Sequence, residues 1–337
     1  MKKFLQFLKN IVPFALTAGI LWWMYRGTDL RFLFIEGLSV LDWRWMSLSL
    51  VCGVVPLLFR ALRWNMALCP LGESASARVS ADAIFISYAA SLVIPRIGEV
   101  TRCGTLKRYA GVSFSKALGT VVSERMVDSV LMLLIAVTAF GSQLPQFLSF
   151  LRTTGFNLNA LTGHFTTTGW WVTLLCGIMV VGFFVYILFR LRLVRQTRTK
   201  MQDFWAGIVS LRQVERPWLY LFYSIGIWAG YFLHFYLAFY AFPFTSSIGV
   251  LPGLLIFCVG SFAVLVPTPN GAGPWHFAVK TMLVLYGVEE SPAILFALVV
   301  HSIQTLLVIL LGGWGWADLM WFSGKRGIGM ERQAAGR

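Results

Sequence analysis

Apolar residues in this 337-residue chain fall in runs far longer than globular helices need, each closed by polar or basic residues. A helix needs roughly 20 apolar residues to cross the hydrocarbon core of a bilayer. Runs of that order lie at 4–25, 43–62, 121–140, 169–189, 217–242, 248–266 and 292–314, and the 43–62 run is closed by Arg60 and Arg63. A shorter run at 81–94 stops at Pro95 and is followed by Arg96, Glu99, Arg102, Lys107, Arg108 and Lys116. It reads as a re-entrant or broken helix that returns to the side it entered from. The run at 275–286 is also short and fits either a crossing or half of a second broken hairpin. The pattern predicts an all-α polytopic membrane protein with about eight transmembrane helices and one or two re-entrant or broken helices.

Composition supports a single membrane unit. Hydrophobic residues make up 58% of the chain and charged residues 12%, where soluble domains carry about 25% charge. The expected division is one transmembrane domain over 1–323 and a basic tail over 324–337. The net charge of +14 is gathered in particular loops. The segment between the runs at 169–189 and 217–242 holds Arg190, Arg192, Arg195, Arg198, Lys200, Arg212 and Arg216, whereas 141–168 holds Arg152 and no Lys. The positive-inside rule puts the basic loop in the cytoplasm, and with it both termini, which carry Lys2, Lys3, Lys325, Arg326, Arg332 and Arg337. This basic balance reads as a topology signal and contact with anionic lipid, with no patch set apart for nucleic acid. The segment Trp22-Trp23-Met24-Tyr25-Arg26 makes a poor cleavage site, so the first run is expected to remain as a span. The five cysteines are scattered, without metal-ligand spacing.

Three strings interrupt this apolar pattern. The first is Pro95-Arg96-Ile97-Gly98-Glu99-Val100-Thr101-Arg102. Pro95 removes a backbone donor and Gly98 permits an unwound path. Arg96 and Arg102 offer planar forks to a phosphate, and Glu99 is placed to hold one of them. The bland alternative is a basic loop touching headgroups nonspecifically. The second string is Glu124-Arg125-Met126-Val127-Asp128. Glu124 and Asp128 share a helix face, and Arg125 lies three residues from Asp128. Ionisable groups within a span are expensive and mark function by default, although an ion-pair cluster that only orients the helix would have the same sequence.

The third string is Pro267-Thr268-Pro269-Asn270-Gly271-Ala272-Gly273-Pro274-Trp275-His276. No helix continues through it, so at membrane depth it must line a cavity or pack inside the bundle. Its amides are candidate anion donors where the next helix begins, and His276 and Lys280 lie one turn apart on that helix. A simple tight turn is the alternative. One Pro/Gly-broken segment in each half of the chain is the plan of an inverted repeat. His301 and Gln304 read as a helix-packing hydrogen bond. No metal-ligand pair, Walker sequence or nucleophile elbow is present, so neither a metal nor another cofactor is expected.

Pro95-Arg96-Ile97-Gly98-Glu99, Ser123-Glu124-Arg125-Met126-Val127-Asp128 and Pro267-x-Pro269-x-Gly271-x-Gly273, in this order, resemble the lysylphosphatidylglycerol synthase transmembrane-region family over nearly the whole chain. The resemblance implies a flippase-like domain that moves a lipid between leaflets. In the synthases this domain is fused to a cytosolic aminoacyltransferase domain, which has no counterpart expected here. Many members carry an acid three residues after the last motif glycine, where this chain has His276.

The expected function is therefore transport of a phosphate-bearing lipid, either an aminoacyl-phospholipid or a polyprenyl-phosphate-linked lipid, in a bacterial-type inner membrane. Arg96, Arg102 or Arg125 would bind the headgroup, and Glu99, Glu124 and Asp128 would orient those cations. The alternatives are a membrane-embedded transferase, with Glu124 or Asp128 as base, and an accessory partner of envelope-biosynthesis enzymes.

Overall fold

The computed structural model describes residues 14–15, 17–23, 25–26, 35, 38–95, 97–153, 198–266 and 268–335. The expected span at 169–189, together with Arg96 and Pro267, lies outside the described residues. Every regular element among those described is helical. In chain order these are α1 (Trp43–Leu68), α2 (Ala77–Val93), α3 (Gly98–Ala110), α4 (Phe114–Thr153), α5 (Arg198–Val209), α6 (Pro217–Tyr240), α7 (Val250–Ala263), α8 (Pro274–Leu285) and α9 (Glu290–Ala335).

Four of these helices are long and apolar enough to cross a membrane, over Trp43–Leu71, Phe114–Leu144, Pro217–Tyr240 and Glu290–Trp321. At 1.5 Å per residue, α1 alone is about 39 Å long, which exceeds the roughly 30 Å of a hydrocarbon core. The remaining apolar helices are short. The 14 residues of α7 and 12 of α8 reach only about 21 and 18 Å, so the expected crossing at 248–266 is not one continuous span. Together α7 and α8 make a helix–break–helix hairpin around residues 264–273. The α2–α3 segment makes the same shape, with its break at residues 94–97. The first hairpin falls where a re-entrant or broken segment was expected at 81–94, and the second stands where the runs at 248–266 and 275–286 were expected to cross.

Local chemistry sets these boundaries. Asp42 caps α1 by accepting the Arg44 N–H at 2.8 Å, and Ser76 caps α2 through the Val79 N–H at 3.3 Å. The α2 helix ends at Val93, two residues before Pro95, which cannot donate, and α3 ends before Gly111 with φ +73° after the basic pair Lys107 and Arg108. Two helices run further than hydropathy indicates: α4 continues past Gly141 to Thr153, and α9 continues through most of the expected tail to Ala335. A helix once formed adds polar residues at little cost, so an apolar boundary is not a helix boundary.

Each hairpin has its own apolar core. Trp64, Leu68, Ile84, Phe85, Cys103, Leu106 and Val121 pack around the first, and Phe235, Phe239, Phe242, Trp275, Val279 and Phe296 around the second. Close packing between α1 and α6 joins the halves. A Cβ on Gly53 would lie 2.9 Å from the His234 ring, one on Gly226 2.6 Å from Phe59, and one on Gly230 3.0 Å from Pro56. Small residues of this kind let helix backbones approach where lipid offers no hydrophobic drive to associate. Gly98 does the same inside the first hairpin, since its Cβ would fall 2.4 Å from the Ser87 carbonyl oxygen.

Candidate functional site

The break after α2 aims α3 back across the start of α4, so Arg102 reaches the acidic face that Glu124 and Asp128 share. Arg102 Nη1 donates to Glu124 Oε2 at 2.9 Å, and its Nη2 lies 2.7 Å from Glu99 Oε2. Two further arginines enter from α1. Arg63 Nη1 donates to Asp128 Oδ1 at 2.6 Å and its Nε to Glu124 Oε1 at 3.3 Å, while Arg60 Nη2 meets Asp128 Oδ2 at 3.4 Å. Arg125 closes the ring, 3.3 Å from both Glu99 Oε1 and Asp128 Oδ2. Arg63 also donates to Ser224 on α6, which ties this network to the second half of the chain.

Burial decides how these charges act. Arg63 and Glu124 are fully buried, and Arg60, Arg102 and Asp128 are at most 5% exposed. Charges this deep require partners, and aromatic faces supply part of the remaining contact. The Arg102 guanidinium lies 4.7 Å from the Trp64 ring centroid, Arg63 5.5 Å from Tyr220, and Arg60 5.9 Å from both Tyr88 and Tyr231. Glu99 and Arg125 differ, since their side chains are 37% and 39% exposed. The cluster thus has a buried base and an accessible edge. Four arginines against three carboxylates leave it one positive charge in excess.

That edge opens on a cavity of about 590 Å³, into which the three interrupted strings converge. Pro95, Gly98, Glu99 and Arg102 line it from the first, Arg125 from the second, and Thr268, Asn270 and Gly271 from the third. Arg60, Ser87, Tyr88 and Ser91 add polar groups from α1 and α2. A second chamber of about 340 Å³ shares Tyr88, Val264 and Asn270 with the first, but is walled chiefly by Trp228, Phe235, Phe257, Trp275 and Leu307. Tyr88 and Tyr231, whose hydroxyls are in contact, stand between the two.

The third string is held by α9. Asn270 adopts φ +53°, a left-handed conformation that asparagine tolerates better than most residues. Its Nδ2 donates to Thr305 Oγ1 at 2.7 Å, and His301 Nε2 donates to the Asn270 carbonyl at 3.2 Å. Gly271 and Gly273 follow with φ +68° and +90°. The Gly273 N–H donates to His276 Nδ1 at 3.3 Å, closing the first turn of α8. A carboxylate at this third helical position would accept the same N–H.

Not every residue of the three strings lines the cavity. Glu124 and Asp128 do not face the cavity but lie beneath it and hold the arginines. Pro269 and Gly273 shape the turn without lining the space. His276 and Lys280 do not share one cavity: His276 is buried with its ring 4.4 Å from that of His301, and Lys280 pairs with Glu290 at 2.5 Å. Lys280 sits where α8 meets α9, so its nearest anion is the first residue of the next helix. Arg60 and Arg63 were legible only as the end of a span, yet they supply half the arginines of the cluster. Their three-residue spacing, on one helical face still within an apolar run, was the signal available.

The family model for the lysylphosphatidylglycerol synthase TM region matches residues 10–312, and the chain belongs to that family. It is a multi-pass membrane protein of a family tied to lipid and envelope biology. No curated protein and no solved structure matches it.

Proposed function

We propose that this chain is a flippase-like transporter that passes a phosphate-bearing lipid between the leaflets of a bacterial inner membrane. The observation that carries the reading is the convergence of three interrupted strings on one arginine-edged cavity that continues into an aromatic chamber. An amphiphile has the matching shape: an anionic headgroup for the first space and hydrocarbon for the second.

The excess positive charge suits a single phosphodiester. Glu99 bridges Arg102 and Arg125 at 2.7 and 3.3 Å in the way a phosphate would, forking two guanidiniums from the accessible edge. A headgroup entering the cavity would displace Glu99 while Glu124 and Asp128 keep the arginines aimed. Leaflet exchange then needs the two hairpins to move about their breaks, where backbone groups are free of helical bonding. Transport suits the acids better than transferase chemistry, because Glu124 is held by two arginines and Asp128 by three. Coupling to envelope-biosynthesis enzymes fits the same reading, as suppliers or users of the lipid.

The test is leaflet exchange in liposomes containing the purified chain, with fluorescent phosphatidylglycerol as probe and fluorescent diacylglycerol as the uncharged control. Replacing Arg102 and Arg125 together by Gln is expected to slow exchange of the phosphatidylglycerol probe by about 10-fold or more, the size of one lost charge-assisted contact. Undiminished exchange in that variant would sink the assignment.

A further inference from the structure

Away from the arginine cluster, α2 and α9 bring two aspartates together. Asp82 is 3% exposed, and its Oδ2 is sealed from solvent and meets no hydrogen-bond donor among the described residues. Asp318 faces it from α9, one turn along from Gly315, whose Cβ would lie 3.1 Å from the Asp82 Cα. Asp318 is clamped from the other side by Arg78, through Nε at 2.5 Å and through Nη2. Two ionised carboxylates are acceptors only, so they can hydrogen-bond to each other only through a proton on one of them.

We infer that Asp82 and Asp318 form a proton-binding site, holding one proton between two carboxyl groups while Arg78 balances the remaining negative charge. Among the described residues, the charged groups on the elements packed against Asp82 are these. Asp318 is the acid facing Asp82 from α9, and Arg78 is the cation on α2 itself. The α1 helix presents the neutral Asn65, bonded to Ser80. The α3 helix meets α2 at its opposite end, where Gly98 packs on Ser87 and Ser91, and its Glu99 and Arg102 belong to the arginine cluster. Arg78 is 58% exposed and Asp318 12%, so water reaches the pair from one side only.

The location gives protonation a mechanical consequence. A Cβ on Gly312 would lie 2.3 Å from that of Ala89, and one on Gly315 3.1 Å from the Asp82 Cα, so α2 and α9 pack backbone to backbone beside the acids. Loss of the proton puts two like charges in that contact and drives the helices apart. One turn or more along, the same helices wall the chambers, α2 the first through Ser87, Tyr88 and Ser91, and α9 the second through His301, Gln304 and Thr305. Proton release therefore loosens the walls of the cavity, and proton binding closes them. The proton site stands on its own geometry; its link to lipid movement rests on the transport reading.

The experiment is an infrared pH titration of the full chain in liposomes, reading the carbonyl stretch of protonated carboxyl groups. The wild type is expected to show such a band that is lost as pH rises, and Asp82→Asn to lack it. An unchanged band in Asp82→Asn overturns the site. Arg78→Gln alters an exposed residue and decides the matter if the first variant does not fold. Without its cation the pair should keep its proton to higher pH, and an unmoved titration overturns the site. Phosphatidylglycerol exchange is then followed across the same pH range. Exchange that follows the band in wild type and flattens in Asp82→Asn supports coupling. Exchange indifferent to pH in a wild type whose band titrates overturns coupling, and a chain that exchanges no lipid refutes transport but leaves the infrared result standing.

Discussion

Glu124→Gln is the sharpest probe of the buried cluster, because it removes one charge and almost no volume. In the structure Glu124 receives Arg63 Nε at 3.3 Å and Arg102 Nη1 at 2.9 Å, with no exposure to water. The substitution raises the excess charge of the cluster from one to two. Breaking a buried ion pair by removing one partner costs about 3–5 kcal/mol. Each arginine here keeps a second anion, Arg63 through Asp128 and Arg102 through Glu99, which places the expected cost at the lower end, about 3 kcal/mol. That is roughly a 100-fold shift in the unfolding equilibrium. The assay is denaturant unfolding of the detergent-solubilised chain, followed by tryptophan fluorescence. Adding Arg63→Gln restores the original excess charge, so the double variant should lose less than the sum of the single ones by about 1 kcal/mol or more, as expected for residues in one network. A Glu124→Gln chain within about 1 kcal/mol of wild type, or strictly additive losses, would refute the claim that the cluster acts as a coupled unit.

Two further predictions address the hairpins. Gly98→Ala should destabilise the chain by about 1–3 kcal/mol, as overpacking does, because the new Cβ would fall 2.4 Å from both the Ser87 carbonyl oxygen and Ser91 Oγ. Gly104→Ala in the same helix, with nothing within 4 Å of the added carbon, serves as the control and should be neutral or slightly stabilising in the same unfolding assay. Asn270→Ala should cost about 1–3 kcal/mol by removing both the side chain that suits a positive φ and the donor to Thr305. Thr305→Val removes the same bond from the other side, so the double variant should cost little more than Asn270→Ala alone.

Much of the architecture is written in the chain. The apolar runs at 43–62, 121–140 and 292–314 each lie inside a membrane-capable helix, and that at 217–242 overruns one by two residues, because hydropathy over some 20 residues leaves few alternatives in a bilayer. Pro95 and the Pro/Gly string at 267–274 marked the breaks for an equally local reason, the loss of backbone donors and of helical φ, whereas Gly98, expected to unwind, opens α3 and serves close packing instead. Helix ends were less legible. Residues 141–153 and 315–335 are helical though polar or mixed, since an established helix needs no apolar face to continue.

The sequence by itself determined that this is a helical membrane protein with charged and broken segments at a few places, because period, length and backbone chemistry are properties of neighbouring residues. Tertiary structure alone decided what those segments face. Arg60 and Arg63 ended a span on paper and hold Glu124 and Asp128 in space, 61 to 68 residues away along the chain. Asp82 and Asp318 lie in different halves of the sequence and are brought together where α2 packs on α9. A charge within an apolar run announces that it must be compensated; which distant helix compensates it depends on packing, and packing has no one-dimensional signature.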